Sequence, residues 1–170
     1  CMERLENTLQ IQDEKSLIFE HNFVHHSMEE LHVAKIDPLL QTYFPGVYFR
    51  FSAIADVVTN TTLCEIKCTS NINIEHKLQL LIYAWLWNVL GLSSDKRFIL
   101  LNVKTGEQFE LEASFSKMTK IVVQILQSRY VELDTKSNKH FIKDCLHTMD
   151  VLTCQHIAGN FLAELNYKND

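Results

Sequence analysis

A chain of 170 residues with 46% apolar and 22% charged side chains, four glycines and two prolines has enough sequence for one domain with its own core. It is too poor in chain breakers for disorder, a collagen-like repeat or a low-complexity linker. The net charge of −5 excludes a basic wrapper of nucleic acid, so any contact with a polyanion has to come through local basic patches.

Five cysteines, Cys1, Cys64, Cys68, Cys145 and Cys154, are odd in number and lack a C-x-x-C, which points to a reducing, intracellular setting: cytosol, nucleus or a viral replication compartment. The chain does not open on a basic-then-apolar leader, and a start on Cys instead of Met is what an excised domain of a longer helicase, polymerase or replication protein would show. The apolar run from Leu78 to Leu92, 15 residues interrupted by Gln79 and Asn88, is too short to span a bilayer, so no membrane partner is expected.

The first periodic element is a helix starting near Ser27, where Ser27 and Glu30 have the spacing of a capping box and Met28, Leu31 and Ile36 follow. Asp37-Pro38 is expected to kink or end it, with a further turn or two over Leu39 to Phe44. Val47 to Val58 and Leu63 to Cys68, both rich in β-branched and aromatic residues, flank the polar Thr59-Asn60-Thr61-Thr62 and read as a hairpin. Ile74 to Leu90 is apolar on nearly every side and reads as a helix packed across the sheet. Arg97 to Val103 and Gln108 to Ala113 surround Lys104-Thr105-Gly106-Glu107 as a second hairpin. Ser116 to Tyr130 carries Met118, Ile121, Val122, Ile125 and Leu126 at amphipathic spacing, and 138 to 166 reads as one or two more helices.

The first hairpin carries the chemistry. A turn centred between Asn60 and Thr61 sets Val57 opposite Cys64 and Asp56 opposite Glu65, and like charges so placed are destabilising unless something neutralises them. Strand alternation brings Lys67 to the face of Glu65 and turns Cys64, Ile66 and Cys68 to the other, where the two cysteines are read as core packing. Hard carboxylate oxygens beside a lysine suit Mg²⁺- or Mn²⁺-assisted phosphodiester hydrolysis. The competing reading is an exposed ion-pair ladder. On the following helix Gln79 and Tyr83, one turn apart, share a face that can look into the same cleft, the amide toward Lys67, a metal-bound water or a phosphate and the hydroxyl toward a DNA backbone. The alternative is a glutamine at the rim of a core helix and an ordinary core tyrosine. Trp85 and Trp87 are read as core.

Ala53-Ile54-Ala55-Asp56, then Glu65-Ile66-Lys67, then Gln79-Leu80-Leu81-Ile82-Tyr83, in that order, resemble the motifs of the PD-(D/E)XK nuclease superfamily, specifically its RecB-like branch, over about residues 24 to 113. The resemblance implies an α/β, restriction-endonuclease-like core: a small mixed sheet built from two hairpins, with helices on both faces. A single domain over 1–170 follows, with its core at about 24–131 and a C-terminal helical extension at about 132–170. It further implies a nuclease acting on DNA, exonuclease-like, with Asp56, Glu65, Lys67, Gln79 and Tyr83 as catalytic residues. The metal set it implies for Mg²⁺ or Mn²⁺ is His25, Asp56, Glu65 and Ile66. The family's helical histidine matches Val24-His25-His26-Ser27-Met28-Glu29 through His25, with His26 as the alternative frame, and the family's glycine is replaced by Ala53.

The iron–sulfur cluster of some relatives needs three cysteines after the core, where this chain has Cys145 and Cys154, so no cluster is expected. Cys145-x-His147 and Cys154-x-His156 lack the usual zinc-ligand gap. Lys136, Lys139 and Lys143, with Lys117 and Lys120 before them, are read as a solvated face ahead of a phosphate track. Two rival functions stand beside DNA cleavage: an RNA endonuclease of the viral-polymerase type, and a catalytically inactive nuclease-fold module that binds nucleic acid or serves assembly.

Overall fold

The computed structural model describes residues 17–25, 27–92, 95–131 and 153–156. The described chain opens with strand β1 (Ile18–Val24), which pairs antiparallel with β2 (Ala53–Val58). Between them runs a continuous helical stretch: α1 (Glu29–Leu31), a π-helical turn (His32–Ile36) and α2 (Asp37–Gln41). β2 turns tightly into β3 (Thr62–Lys67), the 17-residue α3 (Ile74–Leu90) crosses the sheet, and β4 (Arg97–Asn102) returns parallel to β3. A crossover helix is what a parallel pair requires. β5 (Gln108–Glu112), α4 (Phe115–Leu126) with a π-helical turn (Gln127–Val131), and β6 (Thr153–His156) complete it. The sheet order is β1-β2-β3-β4-β5-β6, antiparallel except at β3·β4.

Both expected hairpins are present, although the first strand of the first one begins at Ala53 and not at Val47, and the chain is α/β with a mixed sheet. α3 has the expected bounds because its ends are chemically marked. The Asn73 side chain accepts the His76 N–H at 3.0 Å, the His76 ring reciprocates toward the Asn73 N–H, and Gly91 closes the helix at φ 67°, where a Cβ would be strained. α4 starts after Ser114, whose hydroxyl accepts the Lys117 N–H at 3.4 Å.

Several expectations are corrected. The Ser27–Glu30 capping box does not form: the helix begins at Glu29 behind Met28 with no side-chain cap, because the Ser27 hydroxyl lies 2.6 Å from His25 Nδ1. Asp37-Pro38 does not end the helix. The wider π-helical turn before it lets the Asp37 N–H reach back five residues to the His32 carbonyl, which absorbs the proline. β1 was not anticipated, since Glu20-His21-Asn22 breaks any two-residue alternation, and residues 153–156 of the expected C-terminal helical extension form a strand paired with β5. Lys136, Lys139, Lys143, Cys145 and His147 lie outside the described residues.

The helices do not divide between two faces among the described residues. Ile36, Leu40, Leu81, Trp85, Ile121 and Val122 all join one core cluster on one side of the sheet, whereas Val57, Cys64, Ile99 and Leu101 make a smaller cluster that contains no described helix. The apolar stripe of α4 lies beside α3, where Trp85 Nε1 donates to Thr119 Oγ1 at 3.1 Å, and is thereby used up on the same side. Trp85 and Trp87 are buried, as expected. No helix among the described residues is long and apolar enough to cross a membrane.

Candidate functional site

The register places the hairpin residues as the turn chemistry requires. Val57 pairs with Cys64 and Val58 with Leu63, and the Thr59 N–H donates to the Thr62 carbonyl at 2.8 Å across Asn60-Thr61. At Asp56, opposite Glu65, the backbone ladder stops. The Asp56 carboxylate takes its place: Oδ2 accepts the Ile66 N–H at 2.7 Å.

Strict alternation would put Ala53, Ala55 and Val57 on one face, yet the two alanines pack in the helix-covered cluster and Val57 in the opposite one. The strand changes face at Asp56. β1 does the same at the facing position: Phe19 pairs with Val57 and His21 with Ala55, so Glu20 stands opposite Asp56. Glu20 is the one described non-glycine residue with positive φ, at 48°. Glu20, Asp56 and Glu65 therefore occupy one row across three strands. Sequence reasoning missed Glu20 because β1 itself was not legible.

Glu65 is the chemically unusual member, with 2% of its surface exposed. Its Oε1 accepts from Lys67 Nζ at 2.6 Å, while Oε2 is buried with no hydrogen-bond partner. Burial pushes its carboxyl above the ordinary range. Lys67 pulls it back, the Asp56 charge adds to the upward push, and the nearby Asp56 backbone lowers it slightly without giving Oε2 a hydrogen bond of ordinary geometry. Lys67 keeps 19% of its side chain exposed, so the pair connects a buried carboxylate with the surface. Burial, with the Asp56 and Glu65 charges, also raises the Cys64 thiol, to about 12, whereas Cys68, expected in the core with it, lies just past the end of β3 and is exposed.

From α3, Tyr83 packs edge-on against Phe23 and receives the Gln79 amide on its hydroxyl at 2.9 Å. Burial raises the tyrosine hydroxyl, the Gln79 bond lowers it, and the Glu65 and Asp56 charges raise it, so Tyr83 stands within the electrostatic reach of both carboxylates. Gln79 donates to Tyr83 and Lys67 to Glu65, so of the partners open to the Gln79 amide Lys67 is not the one it takes. Gln79 and Tyr83 line a hollow of about 360 Å³ together with Ser52, Glu75 and Ile125. Asp56 opens on a second hollow of about 430 Å³, walled by Phe19, Glu20, Val57 and Ile66.

His25 sits at the exit of β1, engaged with Ser27, and His26 lies outside the described residues. Among the described residues no three His, Cys, Asp or Glu side chains converge at metal-binding distance, so His25 is not gathered with Asp56 and Glu65. His32 is completely buried and structural: Nε2 accepts the Phe51 N–H at 3.0 Å, leaving Nδ1 to donate to the Met28 carbonyl at 2.9 Å. The segment so held is anchored again by Arg50, which bridges Glu29 and Asp37.

No family model, curated protein or solved structure matches this chain. Its chemistry has to be argued from the residues alone. Two carboxylates on adjacent strands, one with a buried unpartnered oxygen, offer hard oxygen donors that fit Mg²⁺ or Mn²⁺ better than a softer metal. A lysine fixed on one of them and a tyrosine within their field add a cation and a proton donor.

Proposed function

We propose that this chain is a divalent-metal-dependent nuclease of the RecB-like PD-(D/E)XK kind, hydrolysing DNA phosphodiester bonds in an exonuclease-like manner. The observation that carries the reading is the Asp56–Glu65–Lys67 arrangement: a carboxylate at the opening of the hairpin, beside a buried carboxylate whose Oε2 lacks a partner and whose Oε1 holds the lysine. An orphaned buried carboxylate oxygen costs free energy unless something meets it, and a cation is the partner that a second carboxylate alongside also calls for.

Asp56 and Glu65 would hold the ion, with the Ile66 backbone next to them. When bound, such an ion polarises a phosphate oxygen and makes water a stronger nucleophile at neutral pH. The chain's own groups do the rest. Glu65 holds the Lys67 ammonium at one place, where it stabilises the negative charge that grows on the phosphate in the transition state. Tyr83, aligned by Gln79, presents a hydroxyl to a backbone phosphate.

The test is cleavage of end-labelled single- and double-stranded DNA and RNA with Mg²⁺, Mn²⁺ or EDTA, for wild type, Asp56→Asn and Lys67→Ala. DNA shortened from an end only with the metal, and not by Asp56→Asn, supports the reading. RNA cleaved in place of DNA selects a viral-polymerase-type endonuclease, and metal-dependent binding without cleavage selects a non-catalytic module.

A further inference from the structure

The wall of the Asp56 hollow contains a large apolar side chain that the chain keeps in water. Phe19 is 55% exposed although it sits in a strand and pairs with the buried Val57. Its neighbour Glu20 explains how. Regular alternation would put Phe19 on the side of His21 and Phe23, where Phe23 is buried against Trp87 and Tyr83. The left-handed backbone at Glu20 reverses the strand, leaving the Phe19 ring beside Asp56 and Ile66 on the opposite side. A left-handed conformation is unfavourable for glutamate, so the exposed placement is not what β1 would adopt by default.

What such a ring can hold follows from the charge around it. The hollow is acidic, with Glu20 and Asp56 in its wall, so phosphate is drawn there only where a cation sits on the Asp56 carboxylate, and the rest of the wall repels the sugar–phosphate backbone. A nucleobase is flat, apolar on its faces and uncharged, and it loses nothing by lying near carboxylates. We propose that Phe19 is a substrate-positioning residue that stacks on one unpaired base of the strand being cut, so that the site takes single-stranded or frayed-end DNA. This rests on the nuclease reading above. A base inside a duplex already has neighbours on both faces, and only an unpaired or terminal one offers a face to the ring.

The experiment uses the full chain as wild type, Phe19→Ala and Phe19→Trp, with Ca²⁺ in place of Mg²⁺. The probe is a 12-nucleotide single strand carrying 2-aminopurine, prepared intact and with a single abasic site moved along it. Aromatic–base stacking predicts that Phe19→Ala weakens binding on the order of ten-fold, and that Phe19→Trp keeps it. At one position the missing base should cost wild type about the same factor and Phe19→Ala nothing more, which loss of fold would not produce. In turnover with Mg²⁺ the variant should raise KM and leave kcat nearly unchanged. Wild type that binds and cleaves in an Asp56-dependent manner, with Phe19→Ala equal to it in affinity and KM, overturns this proposal and leaves the nuclease reading standing. Wild type that neither binds nor cleaves overturns both.

Discussion

Removing the Lys67 ammonium should expose what the buried carboxylate costs. In Lys67→Ala, Glu65 keeps its place at 2% exposure, but Oε1 loses the partner now at 2.6 Å and joins Oε2 in having none. Breaking a buried pair in this way typically costs about 3 to 5 kcal/mol. The carboxyl has an escape, which is to take up a proton. Neutralising a group with an ordinary value of about 4.3 costs about 1.4 kcal/mol for each pH unit above it, which caps the penalty near 3.7 kcal/mol at pH 7 and near 1 kcal/mol at pH 5. The sign follows from the direction of the shift. Burial raises the folded carboxyl and Lys67 lowers it, so the variant raises it further. A raised carboxyl contributes stability that is complete below the unfolded value and is lost as pH rises through the folded one. Urea melts at pH 5 and pH 7 should therefore show the deficit of Lys67→Ala growing by about 2 kcal/mol or more, and Lys67→Ala with Glu65→Gln should recover most of it at pH 7. A deficit that is small and equal at both pH values would refute the buried pairing.

Trp85→Ala should cost on the order of 3 to 5 kcal/mol, since the ring is fully buried and its N–H is spent on Thr119; a loss below about 1 kcal/mol would contradict that packing. With its thiol raised to about 12, Cys64 should resist iodoacetamide at pH 8 while the exposed Cys68 is alkylated, as read by peptide mass mapping, and equal labelling of both would contradict the burial. Glu20→Gly should melt at or above wild type, whereas Glu20→Val should lose about 1 to 2 kcal/mol, because a β-branched residue resists the φ of 48° found there; equal melting of the two would contradict the left-handed backbone.

What was legible in the sequence is what local chemistry determines. The Thr59 to Thr62 turn specifies a two-residue link, and the register Val57↔Cys64 follows from it by counting. The apolar run of α3 and its polar N-terminus mark a helix that the structure reproduces residue for residue. What was not legible depends on contacts made at a distance or on a single backbone torsion. β1 carries no alternation because it changes face at Glu20, and the sequence has no glycine there to announce a left-handed residue. The same reversal puts Glu20 opposite Asp56 and the Phe19 ring beside it, so one unmarked torsion hid two candidate residues. Ser27 misled for the opposite reason: its spacing to Glu30 is that of a cap, but the nearby His25 ring engages its hydroxyl. Among the described residues the helices pack on one face and not on both, because the amphipathic pattern of α4 says that one side is buried, and not against which partner.

The claim on which the rest depends is that Asp56 and Glu65 together hold a divalent cation. Thermal and urea melts of wild type and Asp56→Asn with increasing Mn²⁺ or Mg²⁺, referred to EDTA, test it directly. An ion that binds only the folded state should stabilise wild type by about 2.7 kcal/mol at a hundredfold excess over Kd. Asparagine keeps an oxygen for the Ile66 N–H but loses the charge, so Asp56→Asn should fold and respond little. A saturable rise in wild type that Asp56→Asn lacks is the predicted result. No rise in wild type, or the same rise in Asp56→Asn, would contradict it.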